Sequence, residues 1–292
     1  MALASDSREP LLTMLNAVRI NDADMRVLLR DSAKEAERII ARAGDGIGGA
    51  VRSAQLDLAA QQRQMWSGVE QHVRVAIGDG VDAAGESAAF LTETMFGSVG
   101  MTTDYLRYSV LAQARSGIDS LVSRGAAGIP LSQQVYRTSV ASGQRLDRTI
   151  NAMLVNGSSA REIAKAVRGY IDPLTPGGAS YAAMRLGRTE LNNAFHTTSV
   201  RLNNENPMVE YMKWNLSSSH PRADRCDDYA HNSHMPRGEQ GVFRKSEVPS
   251  KPHPQCFCYV TPVTVSDEEF IKNFHKGAYD KYIDGVLGCS RG

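Results

Sequence analysis

The stretch Lys251-Pro-His-Pro-Gln-Cys-Phe-Cys258 leaves its backbone little choice. Pro252 and Pro254 fix their own φ angles and drive the residues before them into extended conformations, so His253 sits in a stiff, extended run. On a strand, residues two apart share a face. Cys256 and Cys258 then present two thiols side by side, with Val260 in phase and Phe257 and Tyr259 on the opposite face. This pattern predicts a strand over 256–265. Cys226 lies upstream, after the turn-rich run S-S-S-H-P-R-A-D, and can return to the same place. Between Trp214 and Pro262 lie three of the chain's four cysteines and four of its seven histidines: His220, His231, His234 and His253.

That density of soft ligands asks for a chemical reason. A tetrahedral zinc site takes four nitrogen or sulfur ligands. Cys226, His253, Cys256 and Cys258 form one such set, with His220 competing for a place in it. Two other readings stand beside it. The thiols can be buried as small apolar groups beside a hydrogen-bonded histidine. Cys226 can also form a disulfide with Cys256 or Cys258 in an oxidising compartment. An enzyme reading pairs Cys226 with His253 as nucleophile and base, or assigns Asp224, Asp227, Asp228 and His220 to a divalent ion. The same acidic run also reads as a turn that starts a helix. The chain carries neither the H-x-E with P-C-x-x-C of a zinc deaminase nor the H-E-x-x-H of a metalloprotease. It also lacks a P-loop and a G-x-G-x-x-G opening a helix, which removes the nucleotide motors and dinucleotide enzymes.

Elsewhere the pattern is helical. Leu11, Leu15, Val18, Met25, Leu29, Ala33, Ala36 and Ile40 recur at three- and four-residue steps, with Asp22 alone out of character. A second stripe runs through Val51, Ala54, Leu58, Met65, Val69, Val73 and Ile77. Gly78-Asp79-Gly80 is expected to end it, and the two helices to form a long hairpin. Their stripes suit an internal core or a docking surface for another subunit. Further helices are expected over 81–96, 104–124, 131–155 and 160–170, the last opened by a Ser159 to Glu162 capping box. The short helix over 160–170, with Ile163, Ala164 and Val167 on one face, resembles a helix-turn-helix unit in length and equally fits a plain bundle. The run D-P-L-T-P-G-G at 172–178 is read as a linker. A helix over 181–204 precedes strands at 209–216, 241–243 and 256–265, and a final helix is expected over 267–285. The expected fold class is therefore α+β: a helical region over 1–172, a small α+β domain with a short antiparallel sheet over 173–265, and a C-terminal helix and tail over 266–292.

Hydrophobic residues make up 42% and charged residues 22%, with a net charge of +1, which fits a folded globular chain rather than a disordered one. No apolar run approaches the about 20 residues of a membrane span, and the first residues lack the basic start and apolar core of a secretory signal.

The order Arg188-Thr189-Glu190 on a helix, Trp214 on a strand, His220, Asp224, Cys226 and Asp227, then Gly241 and Phe243, then Pro249, Pro252, His253, Pro254, Cys256 and Cys258 resembles the C-terminal domain of the Mu F-like phage head morphogenesis, or minor capsid, family. The resemblance covers about residues 185–263. Where many members have C-x-x-C, this chain has Cys226-Asp227-Asp228-Tyr229. The resemblance implies a low-copy structural protein of the virion, assembled in the host cytoplasm and acting in procapsid assembly near the portal. Its implied partners are the portal, major capsid or scaffold protein, with contact to packaged DNA and ejection alongside it. A Cys/His or metal-dependent nuclease or hydrolase carried in the virion is the alternative.

Overall fold

The computed structural model describes residues 9–43, 49–124, 128–172, 177–218, 220, 223–232 and 239–287. His234, linker residues 173–176 and the tail from 288 lie outside these. The described elements run α1 (Glu9–Arg42), α2 (Gly49–Gly97), α3 (Asp104–Arg115), α4 (Ile118–Arg124), α5 (Leu131–Val155), α6 (Ala160–Ile171), α7 (Ala179–Glu205), β1 (Val209–Asn215), α8 (Arg225–His231), β2 (Val242–Arg244), β3 (Tyr259–Thr264), α9 (Asp267–His275) and α10 (Asp280–Leu287). The α+β class is as the pattern predicts. Among the described residues no helix is long and apolar enough to cross a membrane.

Contacts group the chain into two compact units, cut otherwise than a linear division at residue 172. One comprises Val18–Ala76 and Val122–Glu190; the other comprises Met1–Ala17, Ile77–Leu121 and Leu191–Gly292.

Among the described residues, the regular elements of the first unit are helices. The Asn21 amide donates to the His72 carbonyl and the Gln61 amide to that of Ser32. As one number of each pair rises the other falls, so α1 and α2 run antiparallel, as the expected hairpin requires. Met25, Leu29, Ala33, Ala36 and Ile40 of α1, and Leu58, Met65, Val69 and Val73 of α2, are each at most 2% exposed. These parts of the two stripes are core of this chain, whereas Leu15, near the start of the first stripe, is 38% exposed. Asp22, the residue out of character in the first stripe, accepts from Arg188 of α7 at 2.9 and 3.0 Å. Arg188 thus ties α7 to α1. Ser159 and Glu162 form the expected capping box at the start of α6.

The second unit holds a three-stranded antiparallel sheet of order β2-β1-β3. Met212 and Trp214 of β1 are buried while Glu210 and Lys213 are exposed. Val209 is also buried, out of strict alternation, because the β1–β3 register shifts between Val209 and Tyr211. Around the sheet, Phe96, Leu106, Met208, Trp214, Phe243, Val260, Phe270 and Tyr279 form one core with Cys226, Cys256 and Cys258.

Four expectations are corrected. Gly78 and Gly80 do not stop α2, which continues to Gly97. A Cβ at Gly80 would lie 2.4 Å from the Leu191 carbonyl oxygen, so this glycine admits the α7 backbone instead of breaking a helix. The helix expected over 104–124 is split at Ser116-Gly117 into α3 and α4. The final helix is two, with Gly277 at φ +71° between them. The strand expected from Cys256 starts at Tyr259, so the C-x-C pair lies on the extended approach to β3, after a turn in which Gln255 has φ +56°.

Candidate metal centre

Two short segments build the site. The first is α8 with the chain before it. Asp224 caps the helix: one carboxylate oxygen accepts from the Cys226 backbone N–H at 2.7 Å, and Asp227 accepts from the Asp224 N–H at 2.7 Å. The acidic run is thus a helix start, and the capping box aims the Cys226 side chain inward, where it is 0% exposed. The second segment is the proline run. It is held from α7 by His196, whose Nε2–H donates to the Pro249 carbonyl at 2.9 Å. Gly241 lies between the end of α8 and β1, its N–H bonded to the Asn232 carbonyl and its own carbonyl to the Trp214 N–H. Its φ is +72°, and a Cβ there would stand 2.8 Å from the Ala230 carbonyl oxygen, so only glycine fits.

The result is that three thiols distant in sequence meet. Cys226 Sγ lies 3.4 Å from Cys256 Sγ, and the sulfurs of Cys226, Cys256 and Cys258 all lie within 4.8 Å of one another. All three cysteines are free and buried. Two histidines flank the trio. His253 Nε2 is 3.6 Å from Cys226 Sγ and His220 Nδ1 is 3.8 Å from Cys258 Sγ. A tetrahedral ion with metal–sulfur bonds of about 2.3 Å sets its sulfurs about 3.8 Å apart, close to this spacing. The cluster can hold a metal ion, and its donors are those of a thiophilic divalent metal. Of the residues predicted from sequence, Cys226, Cys256, Cys258, His220 and His253 are brought together. His231 sits exposed at the end of α8.

The electrostatics favour negative charge on sulfur. Lys251 is half-buried beside the C-x-C pair, and its ammonium donates to the carbonyl oxygens of Cys256, at 3.1 Å, and of Cys258. Burial lowers the pKa of Lys251, and the sulfur charges of Cys256, Cys258 and Cys226 oppose that. Cys256 is the thiol that ionises first. The Cys258 S–H donates to it and the Lys251 charge adds to the effect, which draws its pKa down to about 5. Its partners move the other way: Cys226 mainly by burial, Cys258 mainly because its proton is bound toward Cys256. Three thiolates with a divalent cation and a neutral imidazole carry one net negative charge, which the Lys251 ammonium balances.

Lys251 and His196 were not picked out from the sequence. Lys251 does sit inside the motif, five residues before Cys256. His196 carries no local signal, because its role depends on how α7 lies against the proline run.

Comparison of the chain with protein-family models, with curated proteins and with solved structures yields no match.

Proposed function

We propose that this chain is a minor head protein of a phage, and that its α+β part is held by a structural zinc ion. The observation that carries the reading is that the residues shared with the Mu F-like motif from Trp214 onward form one connected cluster. Cys226, Cys256 and Cys258 supply the thiols. Asp224 and Asp227 cap α8 and engage the two histidines. Trp214 and Phe243 are core beneath them, and Gly241 allows the close approach. The motif is then a recipe for one folded anchor, not a set of separate sites.

Zinc suits a closed, buried, sulfur-rich sphere, because structural zinc has four protein ligands and no open position. A nucleophilic cysteine needs access and a low pKa. Cys226 has neither, being 0% exposed with its pKa raised, which favours the structural role over the enzyme alternative. Since the stripe residues from Met25 to Ile40 of α1 and from Leu58 to Val73 of α2 line an internal core, docking to portal, scaffold or major capsid protein falls to other surfaces of the chain.

Two measurements test the reading. Purified full-length chain is expected to contain about one zinc per molecule by elemental analysis. Mass spectrometry of intact mature particles is expected to find the protein at few copies per portal. Particles devoid of it would overturn the minor-capsid role.

A further inference from the structure

We propose that His220, held by Asp227, is the fourth ligand of the metal, and that His253 stays outside the sphere as a donor to the Cys226 sulfur. This rests on the metal reading above. It divides two histidines that the sequence leaves interchangeable.

The division follows from what each ring nitrogen faces. His220 turns Nε2 to the Asp227 carboxylate at 2.8 Å and Nδ1 to Cys258 Sγ at 3.8 Å. Its Nε2–H donates to the carboxylate, which leaves the Nδ1 lone pair directed at the thiols. A carboxylate behind the non-coordinating N–H is the usual support for a metal-bound imidazole: it fixes the tautomer and raises ligand basicity. Asp227 is itself fixed, because the same oxygen accepts from the Asp224 backbone N–H at 2.7 Å. The His220 side chain is 10% exposed, against 35% for His253.

His253 is arranged differently. Its Nδ1 is 3.0 Å from the Pro254 carbonyl and its Nε2 is 3.0 Å from an Asp224 carboxylate oxygen. The nitrogen nearer the thiols, Nε2, is thus committed as a donor to the Asp224 carboxylate, and Nδ1 faces the Pro254 carbonyl, so no ring lone pair is aimed at the three sulfurs. The contact from His253 Nε2 to Cys226 Sγ is then N–H to sulfur. Such a bond stabilises a metal-bound thiolate without adding a ligand.

On metal loading, Cys226 and Cys258 would each lose a proton to solvent, and all three sulfurs would bind the ion as thiolates. His220 forms a metal–nitrogen bond through Nδ1 and keeps its Nε2–H. No electron moves.

The test uses the full-length chain loaded with cobalt(II), whose absorption spectrum distinguishes three-sulfur, one-nitrogen ligation from four-sulfur ligation, together with zinc affinity from chelator competition. The wild type is expected to show the three-sulfur, one-nitrogen spectrum. His220→Cys is expected to bind metal with a four-sulfur spectrum, while His253→Cys keeps the wild-type spectrum. Asp227→Asn is expected to weaken zinc binding about 10–100-fold. His253→Ala is expected to weaken it by less than about tenfold, below that range. The cysteine replacements give a gained signal, so a variant that merely misfolds cannot imitate support. A four-sulfur spectrum from His253→Cys, with His220→Cys unchanged, overturns the assignment while leaving the metal site intact. A wild-type chain that binds neither zinc nor cobalt overturns both the assignment and the metal reading.

Discussion

At the scale of single residues, His196 makes the most direct pH prediction. It is buried beside the Trp214 ring, and burial, with the Lys251 charge, pushes its pKa down to about 3. The folded state therefore holds it neutral, and its contribution to stability is full above the unfolded value of about 6.5. As pH falls from there toward 3 the unfolded chain gains a proton that the folded chain does not, and stability drops by up to about 1.4 kcal/mol per pH unit. His196→Gln can still donate to Pro249 but does not titrate. Urea unfolding from pH 7 to pH 4 is expected to show a shallower loss for this variant than for wild type. Lys251→Met should weaken metal binding about 10–100-fold while the apolar stem still fills its place; chelator competition would measure it. These two residues also mark where sequence reading stops. The convergence of Cys226 with the C-x-C pair was legible because thiols that dense need a chemical reason. A lysine between prolines reads as a solvated charge, and a histidine in mid-helix reads as ordinary, until the packing is known.

At the scale of elements, local chemistry predicted what local chemistry controls. The bounds of α5, the box at the start of α6 and the helix start at Asp224 all come from signals within a few residues. Ser159→Ala removes the side-chain acceptor for the Glu162 N–H and should cost about 0.5–2 kcal/mol in chemical denaturation. The glycines of α2 were misread for the opposite reason. A G-D-G run looks like a stop signal, and whether Gly80 stops the helix or receives a neighbour is settled by α7, far away in sequence. Gly80→Ala would usually strengthen a helix. Here a Cβ would meet the Leu191 backbone oxygen, so the substitution should destabilise the chain by about 1–3 kcal/mol through overpacking. An increase in the urea midpoint would show that the glycine is only a tolerated weakness. The split between α9 and α10 was missed because a lone Gly277 leaves little trace in a periodic pattern.

At the scale of the whole molecule, fold class came from counting long helical stripes against three short strands, and that count survives every shifted boundary. The compact units did not come from it. Residues 77–121 belong with the sheet, although nothing in their composition separates them from the helical hairpin they continue. If the metal reading holds, a strong chelator should lower the stability of the unit that contains the thiols and leave the Val18–Ala76 hairpin protected. Amide hydrogen exchange would resolve the two, and equal loss of protection in both would argue against a local role for the metal.

Cys226 and Cys256 stand 30 positions apart, with β2 and the proline run threaded between them. An ion gripping both ends ties off that loop much as a covalent bridge would, a restraint on the unfolded chain of about 3–4 kcal/mol for a loop of this length. Such a tie forms without any oxidant and withstands thiol reductants. It would let a short three-stranded sheet be fastened wherever the chain is made, and unfastened by nothing harsher than taking the ion away.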